Sequence, residues 1–440
     1  MTELRLLKAL RLETPARLAL VGAGGKSTAM FQLGRQLSRT ILTSTTHLAI
    51  DQLTLADQHI TLSSVRKFNS MKSDFPEGVV LLTGDEIKDH RVAGLSEEIL
   101  EEVRRFADDQ NLPIIIEADG SRMKPLKAPA AHEPLIPEWV DSVVVCIGMS
   151  AIGQPLSEQW VHRPGIFAEL SGLTSGDIVT GEAVIRMLNS EQGGLKNIPA
   201  KVHRIALLNQ ADSPETQAAG YRMSMSLLNA YHSVIISSLL QEKIFAVHEP
   251  VAGIILAAGM SSRMGQAKQL LSWQGEALVH HVARAALAAG LSPVIVVTGS
   301  QAEEVQLVLQ DLPLAVQYNP DWQAGQSSSI ICGLRALPSY CGPVVFLLAD
   351  QPFVSPMLLR SLVEQHAACL SPLVAPLVEE QRSNPVLFDR AAFPDLFNLV
   401  GDTGGRSLFL KYPMNYLTWL DARLLFDVDT PESYARLLEF

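Results

Sequence analysis

The sequence has few cysteines, no excess of positive charge and no long apolar run, and each shortage excludes a class of protein. The four cysteines among its 440 residues show no CxxC spacing, which disfavours a zinc site and a disulfide framework. The 35 Lys and Arg against 46 Asp and Glu give a formal charge of −11, which disfavours a general nucleic-acid-binding surface. No stretch is apolar enough for a membrane helix, and the first 20 residues are interpreted as a helix rather than a signal peptide. We therefore expect a cytoplasmic protein with neither nucleic-acid nor membrane partners.

Apolar residues are plentiful, at 47% of the chain, so it can bury sizeable cores and is expected to be globular. The length exceeds what one core usually organises. Short apolar runs alternate with amphipathic stretches from end to end, which is typical of strands and crossover helices in parallel sheets. A new strand-and-glycine pattern begins at Val251, after the polar and charged passage 241–250. We predict an α/β protein with two domains, residues 1–245 and 246–440.

The apolar runs give the positions of the predicted elements. In the first half the predicted strands are 17–21, 40–43, 79–83, 113–117, 142–147 and 204–208, with helices at 96–107 and 212–231. In the second half the predicted strands are 251–256, 293–298, 314–317, 343–348 and 373–375. The helices between them are predicted near 277–289, 302–309, 328–336 and 356–368.

A loop in the second half combines small residues with two basic side chains. The segment LAAGMSSRMGQAK, residues 256–268, follows a predicted strand. Its backbone N–H groups can approach phosphates, while Arg263 and Lys268 supply charge that offsets a triphosphate. A glycine-rich turn alone is weak evidence, and the two basic residues make the pattern more specific. The nucleotide-binding residues predicted here are Leu256, Ala257, Ala258, Gly259, Arg263 and Lys268.

Aspartates in two later segments are candidate metal ligands. The apolar run VVFLL is followed by Ala349 and Asp350, so this carboxylate is expected at the carboxyl edge of a sheet, where ligands bind. A helix N-cap is the alternative role for Asp350. Near the chain end, Asp427 and Asp429 offer a second carboxylate, and Mg²⁺ needs few from the protein.

Seven segments of the second half resemble, in order, the nucleotidyltransferases that act on the molybdenum cofactor. They are LAAGMSSRMGQAKQLL, VIVVTGS, NPDWQAGQSSSIICGLRAL, FLLADQPFV, NPVLF, GDTGGRSLF and DVDTPE, within residues 251–440. The cytidylyltransferase branch is more similar, because Ala257-Ala258-Gly259 stands where guanylyltransferases typically carry Ala-Gly-Gly. The resemblance implies a Rossmann-like, mostly parallel sheet flanked by helices. It also implies transfer of CMP from CTP to the terminal phosphate of molybdenum-bearing molybdopterin, with release of pyrophosphate.

The resemblance also implies roles for particular residues. Asp350 and Asp429 would hold Mg²⁺, while Lys268 and Arg263 would stabilise the leaving pyrophosphate, so Lys268, Arg263 and Asp350 are the predicted catalytic residues. The predicted acceptor pocket comprises Gly325, Gln326, Ser327, Ser328, Asn384, Asp402 and Arg406. Plain N-capping is the alternative role for any one of the serines. A guanylyltransferase and a non-catalytic carrier of the cofactor remain alternatives for the whole half.

The first half has a phosphate-loop pattern of its own. The predicted loop residues are Gly22, Gly24, Gly25, Lys26, Ser27 and Thr28, which follow one strand and open a helix. Position 20 carries leucine where the full GxxxxGK[ST] pattern has glycine, so we expect a shortened phosphate loop, with a structural glycine turn as the alternative. Glu117 and Asp119 follow another buried strand and are expected to complete a magnesium site opposite the loop. ATP or GTP is the expected ligand.

Residues 10–235 resemble the YqeC-like accessory proteins of selenium-dependent molybdenum hydroxylases. The segments that carry this resemblance are VGAGGKST, TSTTHL, EADGSRMKPLKAPAAHEP and LLNQAD. It implies a nucleotide-binding domain that serves a client molybdenum hydroxylase. Residues 209–212 also resemble the base-reading NKxD segment of GTPases, but Gln210 replaces the lysine, so Asp212 is expected to cap a helix instead.

Overall fold

The computed structural model describes residues 4–260 and 264–440. The chain forms two compact units, Met1–His248 and Glu249–Phe440. Both are α/β units built on mostly parallel sheets flanked by helices. Across the part of the chain that the structure describes, no helix is long and apolar enough to cross a membrane.

The first unit contains fourteen of the described strands and seven helices. The strands are β1 Arg17–Gly22, β2 Thr40–Ser44, β3 Leu48–Ala49, β4 Gln58–Thr61, β5 Val79–Thr83, β6 Glu86–Ile87, β7 Arg91–Val92, β8 Ile114–Glu117, β9 Leu126–Lys127, β10 Ser142–Gly148, β11 Val161–His162, β12 His203–Asn209, β13 Ser233–Ser238 and β14 Lys243–His248. The helices are α1 Leu6–Ala9, α2 Lys26–Gln36, α3 Val65–Met71, α4 Glu97–Asp109, α5 Pro164–Ser171, α6 Gly181–Leu188 and α7 Pro214–Leu227.

Nine strands of the first unit form one sheet in the order β14-β13-β12-β10-β1-β8-β2-β5-β4. All neighbours are parallel except β13 and β14. Strands β1, β8 and β10 are apolar and almost wholly buried, as expected where helices cover both faces of a parallel sheet. The chain passes from β8 on one side of β1 to β10 on the other, so the carboxyl end of β1 lies at a topological switch point. Ligands of open α/β sheets bind at such points.

The second unit repeats this design on a smaller sheet. Its strands are β15 Ala252–Ala257, β16 Ser272–Trp273, β17 Glu276–Ala277, β18 Val294–Thr298, β19 Ala315–Tyr318, β20 Val344–Leu348, β21 Leu373–Val378, β22 Gln381–Arg382, β23 Val386–Phe388 and β24 Met414–Thr418. Its helices are α8 Leu278–Ala288, α9 Ala302–Val308, α10 Gln326–Arg335, α11 Pro356–Cys369, α12 Phe393–Leu396 and α13 Pro431–Leu437.

The sheet order of the second unit is β19-β18-β15-β20-β23-β21-β22, with β24 paired to β21. Strands β15, β18, β19 and β20 are mutually parallel, whereas β23 runs antiparallel between β20 and β21. Apolar clusters cover both faces of this sheet. A third, smaller cluster packs Val428 against Leu271 and Leu278, and so holds the C-terminal DVD segment beside the loop that carries Lys268.

The structure corrects two predictions about local structure. The passage 241–250, in which no strand was predicted because of its polar and charged residues, contains β14, which pairs antiparallel with β13 and has three buried residues. The N-terminal helix is only four residues long, and β1 already begins at Arg17. The predicted strands of both sheet centres are confirmed to within one residue at their start.

Candidate functional site

A cavity of about 560 Å³ opens at the carboxyl ends of β15 and β20 in the second unit. Most of the predicted nucleotide-binding residues line it, together with some residues of the predicted acceptor pocket. The predicted residues that line it are Leu256, Ala257, Ala258, Gly259, Lys268, Gly325, Gln326, Asp350 and Asp402. The other residues that line it are Met260, Gln269, Trp322, Gln323, Ser329, Leu348 and Ala349. Arg263 lies outside the described residues.

Lys268 lies between two carboxylates in this cavity. Its Nζ donates to Asp350 Oδ2 and, at 2.9 Å, to Asp429 Oδ1. Asp350 lies two residues beyond the end of β20 and is 8% exposed. Burial acts to lower the pKa of Lys268, but Asp350 and Asp429 outweigh burial and raise it. The lysine is therefore a firmly charged cation, and both predicted metal ligands converge on it.

The backbone explains why these three residues meet. The N–H of Ala349 donates to Leu256 O at 3.3 Å, which joins the end of β20 to the end of β15. The N–H of Val428 donates to the Asp350 carbonyl at 3.1 Å, and the Val428 side chain is fully buried. Because Val428 points into the core, the aspartates on either side of it point to the rim of the sheet.

The two aspartates beside Val428 have different partners. Asp429 faces Lys268, whereas Asp427 accepts a hydrogen bond of 2.7 Å from Gln351 Nε2. Burial raises the pKa of Asp427, and the negative charges of Asp350 and Asp429 raise it further. Two carboxylates therefore contact Lys268 and a third lies in the same segment, so acidic groups outnumber the lysine at this rim, which favours a further cation.

The residues present fit a magnesium ion. The carboxylate oxygens of Asp350 and Asp429 both contact the ammonium group of Lys268, so they lie close to each other. Mg²⁺ takes one or two carboxylates from the protein and completes its shell with water and phosphate oxygens. Within residues 4–260 and 264–440, no group of three or more His, Cys, Asp or Glu forms a closed metal site.

The GDTGGR segment packs against the start of α10. Gly325 has φ +102°, and a side chain there would collide with the backbone of Gly401 and Asp402. The N–H of Gln326 donates to Asp402 Oδ1 at 3.3 Å, and Gly404 packs against the Gln326 side chain. The first turn of α10 and this segment therefore form one wall of the cavity.

Four predicted acceptor residues do not line this cavity. Ser327 is buried and donates to Gly401 O at 2.6 Å, so it fastens the GDTGGR segment. Ser328 bonds to Asn319 Nδ2 at 2.8 Å and lines a separate cavity of about 580 Å³. Asn384 and Arg406 likewise lie away from the lining of the nucleotide cavity. Ser327 lines the same separate cavity as Ser328, so the two serines face away from the nucleotide cavity, which Ser329 lines instead.

The first unit has a second cavity, of about 310 Å³, above the glycine loop. Of the predicted residues, Gly24, Gly25, Lys26, Ser27, Thr28 and Glu117 line it. Gly22, Gly24 and Gly25 have φ of +90°, +78° and +141°, and a side chain at any of them would collide with its neighbours. Leu20 lies inside β1, so the loop is shorter than the full phosphate-loop pattern requires. The N-terminus of α2 opens into this cavity with its first N–H groups unused by the helix.

Lys26 is the centre of a buried charge cluster beneath the loop. Its Nζ donates to Gly22 O at 2.8 Å and lies 3.3 Å from Asp119 and 3.7 Å from Glu117. Burial acts to lower the pKa of Lys26, but Asp119 and Glu117 outweigh it and raise the pKa. Ser27 Oγ donates to Glu117 Oε2 at 2.8 Å, while burial raises the pKa of Glu117. Lysine, serine hydroxyl and carboxylate are thus gathered beside this cavity.

Asp119 faces a different direction from the one predicted. Its Oδ2 accepts from the Gly22 N–H at 3.0 Å and from Lys127 Nζ at 2.8 Å, and it lines a small cavity behind the loop. Lys127 also pairs with Glu133 at 2.8 Å, and Arg163 pairs with Glu133 at 2.7 Å. This buried network stabilises the underside of the loop, so Asp119 does not complete a magnesium site facing the larger cavity.

The Glu133 pairs predict a pH-dependent loss of stability. Although burial acts to raise it, hydrogen bonds from Arg163 and Lys127 lower the pKa of Glu133 to about 2. A lowered carboxyl pKa stabilises the fold above the unfolded pKa, and this contribution disappears as the pH falls from about 4.5 towards 2. Glu133→Gln should therefore lower the free energy of unfolding by about 2–3 kcal/mol at pH 7. Urea unfolding at pH 7 and pH 3 tests this, and an equal deficit at both would contradict it.

Asp212 does not cap α7, contrary to prediction. Ser213 is the N-cap, and its side chain accepts from the Thr216 N–H at 3.3 Å. Asp212 instead accepts a hydrogen bond of 2.5 Å from Ser238 Oγ and lines the cavity above the glycine loop. Asn209 Nδ2 donates to Gly24 O at 2.7 Å, which connects the end of β12 to the loop.

Comparisons with known proteins agree with this division of the chain. Residues 18–165 match the YqeC protein family, and residues 253–415 match the MobA-like NTP transferase domain. The protein YqeC of Escherichia coli (strain K12) is 30% identical over 221 residues, which cover 47% of this chain and 80% of that protein. Nicotine blue oxidoreductase of Paenarthrobacter nicotinovorans is 31% identical over 198 residues, which cover 43% of this chain and 96% of that protein. The crystal structure of Rv0371c from Mycobacterium tuberculosis H37Rv is 28% identical and covers 44% of this chain and 99% of its own, with a TM-score of 0.41.

The C-terminal half is a nucleotidyltransferase. Its family match defines this class, and its fold and cavity agree with it. The N-terminal half is similar along most of its length to protein YqeC. The chain therefore belongs to the YqeC family through its N-terminal part and to the MobA-like NTP transferase family through its C-terminal part.

Proposed function

We propose that the C-terminal unit transfers CMP from CTP to the terminal phosphate of molybdenum-bearing molybdopterin and releases pyrophosphate. The observation that carries this proposal is the placement of Lys268 between Asp350 and Asp429, in the cavity that the Ala257-Ala258-Gly259 loop also lines. Transfer of a nucleotidyl group to a phosphate needs a cation to neutralise phosphate charge and acidic groups to hold a metal ion, and this cavity contains both. The order of the sequence segments supports molybdopterin as the acceptor.

The reaction requires alignment and charge neutralisation more than proton transfer. An oxygen of the acceptor phosphate forms a bond to the α-phosphorus of CTP, and the bond from that phosphorus to the bridging oxygen of the β-phosphate breaks. The acceptor phosphate is already a nucleophile, so no strong base is needed. Lys268 stabilises the negative charge that develops on the departing pyrophosphate.

Binding of the triphosphate would change the partners of Lys268. In the structure its Nζ is bound to Asp350 and Asp429, and phosphate oxygens offer it a stronger site. The two carboxylates would then hold Mg²⁺. The ion would neutralise part of the negative charge of the triphosphate. Asp427 and Gln351 hold the neighbouring segment through their hydrogen bond of 2.7 Å.

The loop sequence supports cytosine as the base. Ala257 and Ala258 are 3% and 5% exposed at the carboxyl end of β15. A methyl group at residue 258 occupies space that glycine leaves open in the guanylyltransferase pattern. We expect this added methyl group to favour a pyrimidine ring over the larger guanine.

CTP should therefore support pyrophosphate release with a kcat/KM about 100-fold above that of GTP, a ratio typical of pocket-based discrimination. The assay follows pyrophosphate with Mg²⁺ and purified molybdenum cofactor, and a sample without cofactor serves as the control. A preference for GTP would identify a guanylyltransferase instead. Binding of cofactor with no pyrophosphate from either nucleotide would identify a carrier. The same result would be compatible with an oxidoreductase, because oxidation and reduction release no pyrophosphate. One relative, nicotine blue oxidoreductase, carries that activity in its name.

We also propose that the N-terminal unit binds a nucleoside triphosphate and assists maturation of a client molybdenum hydroxylase. The glycine loop, the free N–H groups at the start of α2, and Ser27 held by Glu117 support nucleotide binding. Basic side chains line the same cavity: His47, Arg91, Arg122 and Lys124. The resemblance of residues 10–235 to the accessory proteins of molybdenum hydroxylases supports a hydroxylase as the client.

A further inference from the structure

The Asp212 carboxylate does not cap the helix that follows it, and it lines the N-terminal cavity. It is exposed, it lines the cavity above the glycine loop, and its hydrogen-bond partner is the Ser238 hydroxyl at 2.5 Å. Within the two described ranges, no Lys, Arg or His forms an ion pair with it. A helix cap would have explained this aspartate, but Ser213 caps α7. The carboxylate is therefore available to a ligand.

Basic side chains also line the cavity: His47, Arg91, Arg122 and Lys124. Such a set suits the phosphate groups of a nucleotide. Asp212 would repel phosphates, so the surface beside Asp212 has to face a different part of the ligand.

The cavity end near Asp212 has the features of a base site. Leu239 and Leu240 line it, and Leu240 is 82% exposed, so apolar surface is available for the face of a planar ring. Asn209 fixes the spacing between this end and the phosphate loop. Its Nδ2 donates to Gly24 O at 2.7 Å, and its Oδ1 accepts from the Leu239 N–H at 2.9 Å.

Hydrogen-bond complementarity selects one base. A carboxylate offers acceptors only. Guanine presents two adjacent donors, the N1–H and the N2 amino group. Adenine and cytosine each offer one amino group on this edge with an acceptor beside it, N1 in adenine and N3 in cytosine. Neither base therefore offers the two adjacent donors that a carboxylate can accept from together.

We propose that the N-terminal cavity binds a guanine nucleotide and that Asp212 recognises the base through its N1–H and N2 amino groups. This inference rests on the nucleotide binding proposed above for the N-terminal unit, and it adds the base. It gives the two halves of the chain different nucleotides, guanine in the first and cytosine in the second.

The test exchanges the hydrogen-bonding pattern of the side chain and of the base together. Xanthine has a carbonyl oxygen where guanine has its N2 amino group, and asparagine supplies the donor that this oxygen needs. In equilibrium binding to the full chain with Mg²⁺, GTP should bind at least about 30-fold more tightly than ATP, and Asp212→Asn should weaken GTP about 10- to 100-fold. CTP is left out of this comparison because the C-terminal unit is proposed to bind it. The same variant should bind XTP more tightly than GTP.

Two matched variants separate base recognition from a structural effect. Ser238→Ala removes the contact with Asp212 but keeps the carboxylate, so the preference for GTP should remain. Asp85→Asn changes an exposed carboxylate that does not line the cavity, and it should leave every affinity unchanged. A purely structural role of Asp212 could not produce a switch to XTP.

A second pair assigns the binding to this site rather than to the C-terminal cavity. Arg122→Ala with Lys124→Ala removes two cations that line the N-terminal cavity, and GTP affinity should fall at least about 10-fold. The control is Arg66→Ala with Lys67→Ala, a pair of exposed cations on α3. Equal affinities for ATP and GTP, or no gain of XTP binding in Asp212→Asn, would overturn guanine recognition and leave the nucleotide site intact. If the Arg122→Ala, Lys124→Ala variant lost no affinity for any nucleotide, both the guanine recognition and the nucleotide site itself would be overturned.

Discussion

Replacing Asp350 with asparagine should lower the rate of pyrophosphate release about 100- to 1,000-fold. The variant keeps the size of the side chain but removes one of the two charges that converge on Lys268. Under the proposed mechanism those charges hold Mg²⁺ once the triphosphate engages the lysine. The loss should appear in kcat rather than in KM, because the interaction is strongest when charge develops on the pyrophosphate. Steady-state kinetics with CTP and molybdenum cofactor measure it.

A control variant of the same unit separates this effect from a general loss of negative charge. Glu304→Gln removes an exposed carboxylate on α9, outside the cavity, and should leave the rate within about twofold. Circular dichroism establishes that both variants fold. A rate for Asp350→Asn equal to that of the parent protein would remove Asp350 from the reaction.

Replacing Lys26 with methionine should lower the free energy of unfolding of the N-terminal unit by about 3–5 kcal/mol at pH 8, because Glu117 and Asp119 lose their central cation in a buried site. Hydrogen exchange of the amides in β1 and β8, followed by mass spectrometry, measures the loss locally. Nucleotide binding by this unit and hydroxylase maturation should fail as well. CMP transfer by the C-terminal unit should not change.

The pH dependence of this loss has a defined sign. Burial already raises the pKa of Glu117, and removal of Lys26 takes away a charge that holds the pKa down, so the pKa should rise further. A raised carboxyl pKa means that stability is greatest below the unfolded pKa and is lost as the pH rises through the folded pKa. The deficit of Lys26→Met should therefore shrink as the pH is lowered towards 5. The exposed Lys67→Met is the matched control, and a deficit that does not vary with pH would contradict the assignment.

The centres of both sheets could be predicted from sequence because parallel strands buried on both faces are continuous apolar runs. Strands β1, β8, β15 and β20 are of this kind. Strand β14 could not be predicted, because as an edge strand it is only half buried and is flanked by charged residues. Its position depends on its pairing with β13, which a local pattern does not contain.

Part of the candidate site followed from one rule, that residues just after parallel strands meet at the same edge of the sheet. This rule placed Asp350 near the loop of Lys268 although 82 residues separate them. Asp429 is 161 residues from Lys268, and only the burial of Val428 shows which neighbouring aspartate faces the lysine. The serines after Gly325 were misassigned because hydrogen bonds to distant residues decide the direction of each side chain.

The roles of Asp119 and Asp212 were hidden from the sequence for a related reason. Asp119 lies two residues beyond Glu117, but its carboxylate is held behind the loop by Lys127, which forms a second ion pair with Glu133. Asp212 lies next to the true cap, Ser213, so the local pattern fits either residue equally well. Both assignments depended on partners that come close only in the folded chain.

The most direct test of the central claim is to identify the product formed from an equimolar mixture of the four nucleoside triphosphates. The full chain is incubated with Mg²⁺ and molybdenum cofactor, and the cofactor is analysed by mass spectrometry. Our account predicts cofactor that carries one CMP, with one pyrophosphate released for each, and no such product from Lys268→Met. Cofactor that carries GMP, or cofactor left unmodified while CTP is present, would contradict it.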